Sequence, residues 1–208
     1  MVILLLMPDS NATFPLTHRQ RQARATRELI VQAATDLFLE GGYSTTTMDA
    51  IAARAGVAVS TVYNAFTNKR GILKAIREGW HQTSGQRDLY RLAGQQADPA
   101  RRLELAAQAT RRQWESGARM MAVYSVAAAS DPEAAAELRE ALAGRRSTVG
   151  ATIRSWAGDF RMPPERAAAL YLALTRAEVY LELVAEQGWT PAEYEAWLAS
   201  LLKSQFLR

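Results

Sequence analysis

The stretch that decides the fold is Thr45–Leu73, TTTMDAIAARAGVAVSTVYNAFTNKRGIL. Its spacing predicts two short helices joined by a tight turn at Gly56, with hydroxyl residues standing before the first helix. Met48, Ile51 and Ala52 recur at helical spacing and are expected to face inward. Val57 follows the turn as a plug, and Val62 and Phe66, four apart, give the second helix a buried stripe. Ser60, Tyr63, Asn64 and Thr67 then share the opposite side of the helical wheel, a face that is short, polar and nearly uncharged. A helix with an apolar back and a small polar front, propped on a partner helix, is the helix-turn-helix device for entering a DNA major groove.

The preceding helix is expected to begin near Thr17–Arg19, with Thr17-x-x-Gln20 as its capping box, and to stop at Gly41-Gly42. Ile30, Ala33, Ala34, Leu37 and Phe38 form its core stripe. Arg19, Arg21, Arg24 and Arg27 crowd its first turns, where cations oppose the helix dipole; a phosphate backbone nearby would offset that cost, and an ordinary solvated face is the alternative. Thr46 or Thr47 caps the next helix, with its free first-turn amides open to a phosphate oxygen. Arg54 closes that helix as a dipole-matched charge. In the second helix of the motif Ser60 and Asn64 can exchange hydrogen bonds with base edges, Val59 with Ala58 can touch thymine methyls, and Tyr63 can reach a phosphate. Thr61 lies to one side, half buried. With no Arg on this face, phosphate contacts are expected to carry much of the affinity.

The same run resembles the DNA-binding motif of the TetR-type bacterial regulators. The resemblance is carried by Gly42-Tyr43, Thr47, Ile51-Ala52, Ala55-Gly56-Val57, Thr61-Val62-Tyr63, Phe66 and Asn68-Lys69-Arg70 leading into Ile72-Leu73. It covers Leu29 to Leu73, about a fifth of the chain. Three positions depart from the usual pattern: Ala58 where a capping Ser is common, Val59 where a polar or basic residue is common, and Ala65 where an aromatic is common. The resemblance implies an all-α, homodimeric DNA-binding regulator, a repressor more than an activator, released by a small-molecule effector. It implies phosphate contacts from Thr47 and from Lys69, the latter otherwise a plain solvent charge. It also implies a symmetric four-helix interface built from the last two long helices of each protomer.

Composition sets the bounds. A chain of 208 residues, nearly half of them hydrophobic, can bury a real core. The absence of Cys excludes disulfides and thiolate metal sites and suits a reducing cytoplasm. Residues 1–91 hold 11 Lys and Arg against 7 Asp and Glu, whereas residues 92–208 hold 14 of each, so the positive excess lies wholly in the half with the motif. Such asymmetry favours a polyanion for that half alone. The apolar run Val2–Met7 is too short to span a membrane and lacks the flanks of a secretory signal; translation starting at Met7 would remove it. The expected organisation is a flexible arm over 1–17, a helix-turn-helix domain over 18–68, a connecting helix over 69–91 and an effector-binding and dimerisation domain over 92–208.

The second half is expected to be helical throughout. A helix from about Lys69 through Tyr90 leads into it, with a break over Gly94–Pro99. One helix is expected over Pro99–Gly117 and a buried one over Ala118–Ser130. Ser130-Asp131-Pro132-Glu133 starts a helix reaching Trp156, Pro163-Pro164-Glu165 starts another ending at Gly188, and Thr190-Pro191-Ala192-Glu193 starts the last. Leu170, Leu174, Leu181 and Val184 along one helix, and Trp197, Leu198, Leu201, Leu202 and Phe206 along the other, are apolar over more than one stripe and need a second surface. Trp114, Met121, Tyr124, Trp156 and Tyr171, with Thr175 and Glu178, are the candidates for lining an effector pocket; the alternative for each is plain core. Glu178 has three options: an ion pair with Arg176, a pair with a neighbouring helix, or a face toward a ligand. Neither the two histidines, His18 and His81, nor any glycine-rich phosphate loop, HExxH or GxSxG element supports an enzyme, a metal or a cofactor. Two rivals to the effector-responsive reading are an architectural or protein-bridging DNA-binding dimer that takes no effector, and an all-helical enzyme, which predicts turnover and a titrating group in the pocket.

Overall fold

The computed structural model describes residues 17–208, apart from the side chains of residues 80–83, 119, 122 and 130. The expected arm up to residue 16 and the side chain of His81 thus lie outside the described residues. Among the described residues ten α-helices follow in order: α1 (His18–Gly41), α2 (Met48–Ala55), α3 (Val59–Ala65), α4 (Lys69–Thr83), α5 (Gln86–Gly94), α6 (Pro99–Ser130), α7 (Pro132–Ser155), α8 (Pro164–Leu174), α9 (Ala177–Tyr180) and α10 (Pro191–Phe206). α9 runs on as a π-helical turn, Leu181–Glu186. Among the described residues extended pairing is limited to one isolated antiparallel bridge, Phe160 with Leu207.

The helix ends are set by local chemistry. Thr17 and Gln20 form the capping box of α1, and Thr190 and Glu193 form that of α10. Asp131 accepts from the amides of Glu133 (2.8 Å) and Ala134 (3.0 Å) and so fixes the corner between α6 and α7. Three expected boundaries differ. The helix after the motif ends at Thr83, because Gly85 adopts φ +66° and restarts the chain as α5. The two helices expected over 99–130 are one, since Gly117 alone, without a Pro or a cap, costs a helix only about 1 kcal/mol. The helix expected over 164–188 is interrupted at Thr175-Arg176. There the Thr175 carbonyl accepts from Trp114 Nε1 (3.0 Å) and Arg145 Nη2 (2.8 Å), while its hydroxyl donates back to the Tyr171 carbonyl (2.7 Å). A carbonyl engaged from outside and a back-bonded hydroxyl both compete with continued α-helix.

Two apolar cores organise these helices. The first joins Ile30, Ala34 and Phe38 of α1, Met48 and Ile51 of α2, Val62 of α3, Phe66, and Ile72, Leu73 and Ile76 of α4. It is completed from the far half of the chain by Met120, Tyr124 and Ala127 of α6 and Ala134 of α7. The second gathers α5, the N-terminal part of α6, the end of α7, α8, α9 and α10 around Trp114, Trp156, Tyr171, Tyr194, Leu198 and Phe206. α6, about 48 Å long at 1.5 Å per residue, is the spine common to both.

Candidate nucleic-acid interface and adjoining cavity

The motif is assembled around Gly56. It holds φ +67° and ψ +33°, the left-handed conformation that lets its amide and that of Val57 close α2 on the Ala53 (3.2 Å) and Ala52 (3.1 Å) carbonyls. Val62 is wholly buried and Phe66 nearly so, which clamps α3 to the first core. Arg27 of α1 donates to the Ala65 carbonyl and lies over the Phe66 ring at 4.1 Å, placing a cation at the C-terminal end of α3. Arg27 is thereby engaged inside the unit, and Arg24 pairs with Glu28 (2.8 Å).

With its back fixed, α3 turns Val59 (36% exposed), Ser60, Tyr63 (52% exposed) and Asn64 to solvent on one face. Thr61 is half buried. Ala58 gives α3 no side-chain cap. Of the two threonines considered for α2, Thr47 is the cap: its exposed Oγ1 accepts from the Ala50 amide (3.1 Å), while Thr46 is buried and donates to the Gly42 carbonyl (2.8 Å). Arg54 forms a two-pronged pair with Glu40 of α1 (2.8 and 3.1 Å).

Lys69 is neither a plain solvent charge nor a wholly outward clamp. Its Nζ donates to the carbonyls of Tyr43 (2.8 Å) and, more weakly, Ser44 (3.4 Å), and it lies over the Tyr43 ring at 4.4 Å. Desolvation lowers its pKa from the usual lysine value, opposed by the negative charge of Asp131. Beyond it, Arg70, Lys74 and Arg77 of α4 meet Glu137 and Glu140 of α7. The Glu137 carboxylate is fully buried and 3.1 Å from Arg77 and 3.6 Å from Arg70, although no donor aligns with it as a hydrogen bond.

A cavity of about 350 Å³ opens between α6, α7 and the α8–α9 break. Of the expected lining residues, Trp114, Met121 and Glu178 border it. Thr175 lies beneath it, buried and bonded to Arg145. The other three are elsewhere. Tyr124 belongs to the first core, its hydroxyl donating to the Leu73 carbonyl (2.5 Å). Trp156 packs in the second core. Tyr171 is fully buried, with its hydroxyl in reach of Tyr90 (2.9 Å), Thr110 (3.1 Å) and the Ala106 carbonyl (3.1 Å). Glu178 pairs with Arg176 at 2.6 and 3.1 Å, and that bond holds its pKa below the usual carboxylate range. Sequence reasoning missed Leu138, Leu142, Arg145 and Arg146 of α7 and Leu172 of α8. The leucines stand at helical spacing with Arg145, a signal hidden by the charged surroundings of that helix.

Among the described residues no group of three His, Asp or Glu is placed to hold a metal ion, and no helix is long and apolar enough to cross a membrane. Residues 30–76 match a sequence model of the bacterial regulatory proteins of the tetR family. The HTH-type transcriptional regulator SrpR of Pseudomonas putida is 40% identical over 55 residues, 26% of this chain and 26% of SrpR, so the match spans about a quarter of that relative's length. At the level of fold the likeness is broader. NalD, the secondary repressor of the MexAB-OprM multidrug efflux pump in Pseudomonas aeruginosa, superposes with a TM-score of 0.70 at 20% identity, over 90% of this chain and 98% of NalD. SmeT in its complex with triclosan gives 0.71 at 22% identity, over 88% and 92% of the two chains. Residues 30–76 thus carry the sequence signature of the tetR family of bacterial regulatory proteins, and the chain as a whole shares the fold of NalD and SmeT.

Proposed function

We propose that the protein is a DNA-binding transcriptional repressor that acts as a homodimer and releases its operator when a small molecule occupies the cavity beside α7. The observation that carries the reading is the presentation of α3. Val62 and Phe66 lock its back while Val59, Ser60, Tyr63 and Asn64 stand out together. In the bound state Ser60 and Asn64 read base edges, Val59 contacts thymine methyls, and Thr61 borders the groove. Tyr63, the Thr47 hydroxyl and the remaining N–H of Lys69 take phosphates, Lys69 also holding the α1–α2 loop in place. NalD's description as a repressor and SmeT's complex with triclosan support the repressor and ligand-responsive parts.

One α3 reads too few base pairs to be selective, which argues for two copies meeting half-sites about 34–36 Å apart. Leu174, Leu181, Val184, Trp197 and Leu201 stay only partly covered along α8–α10 and offer a surface for the second copy. The test is footprinting of the purified protein on the DNA upstream of its own gene, followed by a salt series. A two-fold-symmetric footprint and log affinity falling steeply with log salt are expected; no protected site, or a flat salt response, defeats the reading. Asn64→Ala should change the preference among half-site variants, and Lys69→Ala should weaken all of them alike.

A further inference from the structure

Resting on the ligand-responsive reading, we infer that the cavity between α6, α7 and the α8–α9 break takes an apolar molecule bearing one anionic group, a carboxylate or similar oxyanion, seated on Arg145. The walls supply the apolar part: Trp114, Met121, Leu138, Leu142 and Leu172 border the space. At about 30 Å³ per water-sized atom, 350 Å³ holds about a dozen non-hydrogen atoms.

The charges supply the sign. Among the described residues four ionised side chains border the cavity: Arg145, Arg146, Arg176 and Glu178. Glu178 and Arg176 satisfy each other at 2.6 and 3.1 Å and cancel. Arg145 and Arg146 have no carboxylate within ion-pair distance among the described residues. Arg145 is also held in place. Its Nη2 donates to the Thr175 carbonyl (2.8 Å) and hydroxyl (2.6 Å), and its guanidinium lies 5.8 Å from the centre of the Trp114 ring. Its Nε–H is buried and meets no acceptor among the described residues.

A role as a cap on the end of α8 accounts for the Nη2 bonds. It does not account for the charge: the acidic neighbour of Arg145 across the cavity, Glu178, is already ion-paired with Arg176. An oxyanion in the cavity supplies a dedicated counter-charge to a guanidinium that Thr175 already holds in place before binding. A cation would face two unpaired guanidinium groups and a carboxylate already spoken for, and a neutral ligand leaves the charge as it stands. The placement also suits a regulatory role, because Arg145 lies on the helix whose Glu137 and Glu140 hold α4.

The experiment compares decanoate, 1-decanol and decylamine, all below micellar concentration, on the full-length protein. Thermal melting and anisotropy of its footprinted DNA are read in parallel. Decanoate should raise the melting temperature, 1-decanol should need at least about tenfold more to match it, and decylamine should not stabilise at all. In Arg145→Met the preference for decanoate over 1-decanol should collapse while 1-decanol still binds. Should that variant not fold, the wild-type series decides alone. No stabilisation by decanoate, equal potency of the alcohol or the amine, or an unchanged preference in folded Arg145→Met overturns the inference. Decanoate binding with the stated preference but without any loss of DNA affinity upholds the anion site and defeats the ligand-responsive reading instead.

Discussion

At the scale of single residues, the exposed face of α3 depends on one backbone conformation more than on any one contact. Gly56 stands in the left-handed region at the junction of α2 and α3, with open space around its missing Cβ. The obstacle to replacing it is therefore conformational and not steric crowding by neighbours. Gly56→Ala should destabilise the protein by about 1 kcal/mol, read as a lower urea midpoint with unchanged slope. A midpoint equal to the wild type's would show that the turn has another way to close. The faces of this motif were legible in the sequence because they are local: the spacing of Val62 and Phe66 dictates which side of α3 is covered, and Ser60, Tyr63 and Asn64 take what remains. Lys69 was only half legible. Its charge is visible in the sequence, but the Tyr43 and Ser44 carbonyls that hold it lie some 25 residues earlier and are brought near by packing alone.

At the scale of helices, caps were readable and interruptions were not. Thr17, Asp131 and Thr190 announce helix starts through their own side chains, and each makes its bond within three residues. The break at Thr175-Arg176 has no Gly or Pro to mark it; Trp114 and Arg145, both distant in sequence, make it by engaging the Thr175 carbonyl. For the same reason Tyr124, Trp156 and Tyr171 look in sequence like cavity residues, yet tertiary packing assigns them to cores. The seam between α4 and α7 carries its own prediction. Glu137 is fully buried against Arg77, itself largely covered, whereas Glu140 faces Arg70 and Lys74 in solvent. Glu137→Ala leaves a mostly buried arginine without its counter-charge and should cost about 3 kcal/mol. Glu140→Ala should cost under about 1 kcal/mol, since exposed pairs are screened. Urea melts of the two variants check the ratio, and comparable losses would mean that the seam is open to water.

At the scale of the whole molecule, buried phenols set the alkaline limit. Burial, with the negative charges of Asp131 and Glu133, pushes the Tyr43 hydroxyl up to about 12, and burial likewise raises Tyr124, Tyr171, Tyr180 and Tyr194. A group whose pKa is higher in the folded than in the unfolded chain contributes stability that is complete below the unfolded value. Here that value is near 10, and the contribution is lost as pH climbs through the folded one. Lys69, lowered by desolvation, acts in the opposite sense approaching 10.5, but it is one group against five. The urea midpoint should therefore hold to about pH 9 and decline from pH 10 upward, and a flat or rising midpoint over that range would refute the assignment. The shared first core has a practical corollary for anyone wishing to transplant the helix-turn-helix unit. Severing the chain at residue 91 would strip away Met120, Tyr124 and Ala127, together with the phenol that grips the Leu73 carbonyl, and would bare the underside of α4. A functional graft has to carry the α6–α7 corner along as a detached buttress, so the modular unit in space is discontinuous along the polypeptide.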